Sequence, residues 1–250
     1  MTEILYDCRW SNEVDDKFIE DFIATENSVF GGNYTKSLFD KKYINNIFGK
    51  SVVEVVYLDG KPVAARGLWR NDIDGKEAYQ PGDTCVTEVC RGKGIFTEMT
   101  KRSVEMLPSD AIIYNFPNQN SYPGYMKMGW NLVGEYGFVL FSAKKYFKEH
   151  PVKMDNKYAN WWLPKTDAIS YFKKGNDYFL VRTLGKPMCY RVIACVEEAT
   201  AKKYKKAPFG IKFYRSTKKT FYNSKLGKPL HVVSKNEDIE QIPLWKIDAI

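Results

Sequence analysis

The spacing of hydrophobic and polar positions lays out most of the elements of this 250-residue chain. Residues 3–9 suit a short strand. In VDDKFIEDFIATENSVF, Val14, Phe18, Phe22 and Ile23 recur on one helix face, with Ser11 or Asn12 as the expected cap. A second helical piece is expected near residues 35–48, carrying Leu38, Phe39, Tyr43, Ile44 and Ile47. SVVEVVYLDGKPVAARGLW then reads as two strands joined at Asp59-Gly60, a dipeptide suited to a two-residue hairpin turn. A strand over 77–87, a helix over 94–106 and a strand over 111–115 follow. NSYPGYMKMGW predicts a short helix broken by Gly129, and GWNLVGEYGFVLFS closes this half with strands. The order β-α-α-β-β-β-α-β-α-β predicts an α/β domain.

The rest of the chain is strand-rich, with YFLVR, CYRVIACV, GIKFYR and PLHVV, and a helix is expected around 197–206. The expected division is a first domain over 1–148 and a second over 149–250, near His150-Pro151. No Gly/Ser linker separates them, so packed rather than tethered halves are expected. The strand content also admits a diverged copy of the first fold.

Charge changes this picture. Residues 1–145 carry a net charge of −3 and residues 146–250 a net charge of +11, within an overall +8. Either the lysines keep the second half solvated, or that half meets an anionic partner such as RNA. KKYKK at 202–206 reads as a solvated helix face or, alternatively, a polyanion site. Trp161-Trp162 and the aromatics near 209–222 read as core rather than a base-stacking platform. Five cysteines, none in a CxxC pair, point to reduced thiols in a cytoplasmic protein. With two histidines, neither a metal site nor a Ser/His/Asp triad is expected, and no apolar run suits a membrane span.

The chemistry concentrates at RGKGIF. Gly92-Lys93 would need a glycine at 87 and Ser/Thr at 94 to form a P-loop, and Thr87 and Gly94 stand there instead. A dinucleotide fingerprint fails at its third glycine, which is Thr97. What remains is a strand, a glycine turn and a helix start, where backbone N–H groups and the helix dipole converge on an anion. Arg91 and Lys93 add charge at its rim. Downstream, Asn118, Ser121, Tyr125 and Gly129-Trp130 follow N-x-x-[A/S]-x-x-x-Y-x-x-x-G-[F/W]. A right-handed βαβ crossover brings both segments to the carboxyl edge of neighbouring strands.

Together, Val86-x-Glu88-x-Cys90-Arg91-Gly92-Lys93-Gly94-Ile95 and Asn118…Tyr125…Gly129-Trp130 resemble the GNAT superfamily of Gcn5-related N-acetyltransferases. FGGNYTKSLFDKKYINNIFGK, RGKGIF and NFPNQNSYPGYMKMGW are similar to a bacterial branch often found with surface-polysaccharide genes. The resemblance implies an α/β (α+β) fold with a mixed central sheet flanked by helices. It also implies acetyl-CoA, or a short acyl-CoA, as cosubstrate and a small amine, such as an amino-sugar, as acceptor.

By the same resemblance, the backbone from Arg91 through Gly92, Lys93, Gly94, Ile95 and Phe96 to Thr97 would cradle the CoA diphosphate. Val86 and Thr87 would line the thioester, and Asn118 and Ser121 the pantetheine arm. Tyr125 would protonate the departing thiolate, Asp83 or Glu88 is the candidate base (a water chain being the alternative), and no metal takes part. The acceptor would enter near Phe30–Tyr43. Two departures from the family pattern stand out: Phe96 replaces a small residue, and Pro123 precedes Gly124-Tyr125. Two other readings stay open, a GNAT-fold protein acting on RNA or aminoacyl-tRNA and a non-catalytic acyl-CoA binder.

Overall fold

The computed structural model describes residues 3–164, 166–218, 226–236, 239 and 241–247. Contacts divide the chain into two compact units. One comprises Met1–Asn115, Pro123–Asn131 and Ser234–Asp238, the other Phe116–Tyr122, Leu132–Val233 and Ile239–Ile250. The division is therefore interleaved rather than a single cut after residue 148, because the chain crosses between the units several times.

In the first unit, β1 (Ile4–Trp10), β2 (Val52–Leu58), β3 (Lys61–Arg70) and β4 (Ala78–Val86) form an antiparallel run. β5 (Ile112–Asn115) adds to β4 in parallel. The β2–β3 hairpin turns at Asp59 and Gly60, both at positive φ (49° and 76°), as their side chains permit. α1 (Asp16–Phe30), α3 (Ile95–Glu105) and the π-helical turn Asp40–Ile44 pack on this sheet, and α2 (Lys36–Phe39), just before that turn, packs on α1. Gly67 leaves room for Tyr43 of the π turn, while its neighbour Arg66 reaches Thr100 of α3. Successive strand residues point to opposite faces, so the first helices cover one face and α3 the other.

The N-cap of α1 is Asp15, not Ser11 or Asn12: its carboxylate accepts from Phe18 N at 2.8 Å. Ser11 is engaged elsewhere, bonding Ser51 through both backbone and side chain. The second helical stretch ends at Ile44, short of residue 48. α4 (Tyr122–Lys127) starts beside Pro123, which is tolerated in a first turn because no intrahelical N–H is lost there. Gly129 follows at φ 75°.

The second unit holds most of β6 (Asn131–Leu140), with α5 (Ala143–Glu149) and α6 (Asn156–Trp162). Its other elements are β7 (Ile169–Lys174), β8 (Asp177–Thr183), β9 (Cys189–Val196), α7 (Glu198–Ala201), β10 (Lys205–Lys206), β11 (Ile211–Ser216) and β12 (Leu230–Ser234). Its ladder runs β6-β11-β9-β8-β7-β10. The basic run 202–206 is not a helix face: α7 stops at Ala201, and Lys205–Lys206 pair in parallel with Ser170 and Tyr171. Trp162 is buried and Trp161 half-buried, in contact with each other, as a core reading requires. Of the aromatics near 209–222, Phe213 and Tyr214 are buried, Phe209 is exposed, and Phe221 and Tyr222 lie outside the described residues. Among the described residues, no helix is long and apolar enough to cross a membrane.

Candidate functional site

The glycine turn is a short exposed arch between two buried anchors. Cys90 and Ile95 are each 1% exposed and pack with Val56, Val63, Ala64 and Met99, while Arg91 through Gly94 stand in solvent. Gly92 and Gly94 both take the left-handed conformation (φ 77° and 79°), which a side chain would strain, and nothing lies within 4 Å of where a Cβ would stand. Gly94 is the N-cap of α3, and no side chain caps this end. The first-turn amides of Ile95, Phe96 and Thr97 have no intrahelical acceptor and form the positive end of the helix.

β4 and β5 pair only at Ala78↔Ile112 and Tyr79↔Ile113. Beyond Tyr79, β4 keeps its ladder with β3 and loses it with β5, so the two strands part on the carboxyl side. Thr87 lies at that end; its N–H continues the β3 ladder to Val63 O at 2.9 Å. Its hydroxyl is buried with no hydrogen-bond partner among the described residues. An orphaned hydroxyl at a parted strand end, beside open glycines and uncapped amides, fits a ligand with a polar chain and an anionic head.

Tyr125 packs against the first turn of α3. Its side chain is 1% exposed, with its ring edge-on to Phe96 (5.4 Å) and Trp130 (4.6 Å). Arg66, fully buried on β3, donates to Tyr125 Oη at 2.7 Å and to Thr100 Oγ1 at 2.6 Å. Tyr125 Oη is thus an acceptor in that bond, which leaves its own hydrogen for another acceptor. Phe96, the departure from the family pattern, is accommodated by Gly124, where a Cβ would fall 2.8 Å from the Phe96 ring.

The buried polar row continues across the sheet. Cys8, Glu54 and Arg66 are cross-strand neighbours on β1, β2 and β3. Ser103 of α3 donates to Glu54 Oε2 at 2.7 Å. Burial pushes the Glu54 carboxyl up to about 7, against the opposing pull of the Ser103 bond and Arg66. Burial likewise raises the Cys8 thiol to about 12, so it is an inert thiol.

Asp83 belongs to the opposite face. Between Ala65↔Cys85 and Gly67↔Gly82 the register slips, so Asp83 and Thr84 oppose Arg66 alone in a β-bulge. Asp83 has φ 46°, unusual for a residue with a side chain. Its Oδ2 accepts from Tyr34 Oη and Tyr43 Oη, both at 2.6 Å, and its Oδ1 pairs with Lys42 Nζ at 3.0 Å. Asp83 is 14% exposed and Lys42 2%. Sequence alone pointed to residues 30–43 as an entry region but not to these three side chains meeting on one carboxylate.

Glu88 is not on the strand: it lies exposed in a 3-10 turn (Glu88–Cys90) after β4 ends. Asn118 and Ser121 fall in the other unit and engage one another. Asn118 Oδ1 accepts from Asn120 N and Ser121 N at 2.9 Å, and from Ser121 Oγ at 3.2 Å. Among the described residues, no group of three His, Cys, Asp or Glu side chains is placed to hold a metal ion.

No protein-family model matches the chain, and no curated protein matches it. Solved structures do. A proposed acetyltransferase from Pyrococcus horikoshii aligns over 96% of this chain and 92% of its own, with 13% identity and a TM-score of 0.56. A protein of unknown function from Enterococcus faecalis, described as a probable N-acyltransferase, aligns over 93% and 72%, with 13% identity and a TM-score of 0.55. A GCN5-related N-acetyltransferase from Kribbella flavida aligns over 93% and 71%, with 10% identity and a TM-score of 0.53. These likenesses show the fold.

Proposed function

We propose that this chain, which has the GNAT fold, is an N-acyltransferase that moves an acetyl or short acyl group from its CoA thioester to the amine of a small acceptor. The observation that carries the reading is the conjunction at the end of β4. There β4 has already parted from β5, an open glycine arch leads into α3, and Tyr125 packs edge-on against Phe96 of the helix's first turn. The amides of Arg91–Thr97 would hold the diphosphate, and Val86 and Thr87 would line the acyl end. Bound CoA supplies an activated carbonyl and a thiolate leaving group. Asn118 and Ser121 remain candidates for the pantetheine arm.

Tyr125 would give the thiolate its proton. The Arg66 guanidinium donates to the phenol oxygen, which would hold it in place and leave its own hydrogen for the thiolate. Asp83 accepts from three donors, one short of the roughly four lone-pair sites of a carboxylate. The remaining site suits an incoming amine, and Asp83 is the better candidate base than the exposed Glu88. The bulge and the positive φ that aim Asp83 are the kind of local strain that function retains. Small amines, amino-sugars among them, are the acceptor class this reading favours.

Calorimetry with acetyl-CoA, paired with thiol release in the presence of a panel of amines, tests the reading. Tyr125→Phe should keep CoA affinity within about threefold and lose roughly 10²–10⁴-fold in turnover. Absence of acyl-CoA binding below millimolar would overturn the proposal. CoA binding without turnover on any amine would leave a binder, not an enzyme.

A further inference from the structure

We propose that Arg182, Arg191 and Arg215 of the second unit form a binding site for the phosphate group of a small phosphorylated ligand. This site is separate from the acyl-CoA reading and does not rest on it. The strand register assembles it. Arg182 and Arg191 are direct cross-strand partners on β8 and β9, and Arg191 is the partner of Phe213 on β11. Arg215 lies two residues beyond Phe213 and therefore on the same face. The opposite face is the apolar core built on Tyr190, Val192 and Tyr214.

Like charges directly opposite one another destabilise a sheet, and a partly buried cluster adds desolvation to that repulsion. Among the described residues, no carboxylate forms an ion pair with any of the three arginines, and each is only partly exposed. The Arg215 guanidinium is held by its surroundings. Its Nη1 donates to Tyr136 O and Lys228 O, both at 3.0 Å, and its Cζ lies 4.0 Å from the centre of the Phe138 ring on β6. Its Nε is buried and lacks a partner among the described residues. Burial and Arg191 press the Arg215 guanidinium down to about 10, and burial and Arg182 lower Arg191; both stay charged at neutral pH.

Planar guanidiniums from three neighbouring strands suit the several oxygens of a phosphate. Their recessed position favours a small ligand over an RNA backbone, which needs an accessible track. The exposed basic run offers no such track in its place. Lys202 pairs with Glu198, Lys205 with Asp167, and Lys203 bonds Asn160.

Titration of the whole chain with inorganic pyrophosphate, under saturating CoA to occupy the glycine arch, tests the site. Arg182→Gln and Arg191→Gln should each weaken pyrophosphate binding at least tenfold, whereas Lys206→Gln should leave it unchanged. In phosphate-free buffer Arg182→Gln should raise the melting temperature by roughly 2 °C, because a repulsion is removed. Arg182→Lys keeps the charge and the strand but loses the planar fork, so it should fold normally and still bind more weakly. Wild-type affinity in both glutamine variants would overturn the proposal. So would tight, steeply salt-dependent binding of a short single-stranded RNA by a chain that ignores pyrophosphate. If CoA does not bind, the acyl-transfer reading fails, but the difference between wild type and Arg191→Gln still reports on the arginines.

Discussion

The two faces of the first unit's sheet both bury charge, and they do so in different ways. Under α3, Arg66 is fully enclosed, its guanidinium committed to the Thr100 and Tyr125 hydroxyls while Glu54 beside it is held by Ser103. Under the first helices, Asp83 stays 14% exposed, and its donors, Tyr34 before α2 and Lys42 and Tyr43 in the π turn, lie some 40 to 49 residues away in sequence. An enclosed network in which one buried guanidinium serves two hydroxyls suits holding the Tyr125 hydroxyl still. A carboxylate with one free lone-pair site at a strained bulge suits meeting something that arrives. On the acyl-transfer proposal, the α3 face would position the proton donor and the opposite face would receive the acceptor.

The largest effect should come from opening the closed face. Arg66→Ala removes the shared donor and leaves Tyr125 and Thr100 hydroxyls without it inside the core. Chemical unfolding should show a loss of about 3–5 kcal/mol. A loss under 1 kcal/mol would mean that the network is incidental.

Next is the pH dependence of Glu54. Its folded value, about 7, lies above its ordinary 4.5. Its favourable contribution is therefore complete below pH 4.5, where the carboxyl is protonated in both states. It is lost as pH rises to about 7, since the unfolded chain ionises first. Wild type should lose up to about 3 kcal/mol between pH 4.5 and 8 from this group, and Glu54→Gln should flatten that part of the slope. Parallel pH profiles for the two proteins would reject the assignment.

The open face should answer to Gly67→Ala. The new Cβ would fall on Tyr43 Oη, so Tyr43 must leave Asp83. Stability should drop by about 1–3 kcal/mol. KM for the acceptor should rise more than KM for acetyl-CoA, and equal changes in the two would erase the distinction between the faces.

Much of this frame is legible in sequence because it rests on local chemistry. Asp59-Gly60 turns the hairpin through its own backbone preferences, and the RGKG arch is marked by two glycines between an apolar strand and an amphipathic helix. The side chains that distinguish the faces are not local. Arg66, within KPVAARGLWR, has the look of an ordinary polar strand position, and only the packing of α3 turns it into a buried donor. Asp83 gains its partners through a bulge and a π turn, neither of which leaves a periodic trace. Ser11 looked like a helix cap because its residue type suits one, and a cross-chain bond to Ser51 took it instead.

Phe96 offers the finest test of whether residues on the closed face are coupled. Read along the chain, it is a bulky intrusion where a helix should approach a diphosphate. In three dimensions its ring fills the space that Gly124 leaves, and it braces Tyr125 edge-on. Gly124→Ala places a Cβ 2.8 Å from that ring, which must shift and take Tyr125 with it. The single variant should lose about 1–2 kcal/mol and part of its turnover. Phe96→Leu in the same chain should restore most of the stability, because the smaller side chain vacates the contested space. If the two substitutions were simply additive, the pair would share no space and Phe96 would have no bearing on Tyr125. A non-additive rescue of stability, with turnover recovering alongside it, would tie Phe96 to Tyr125.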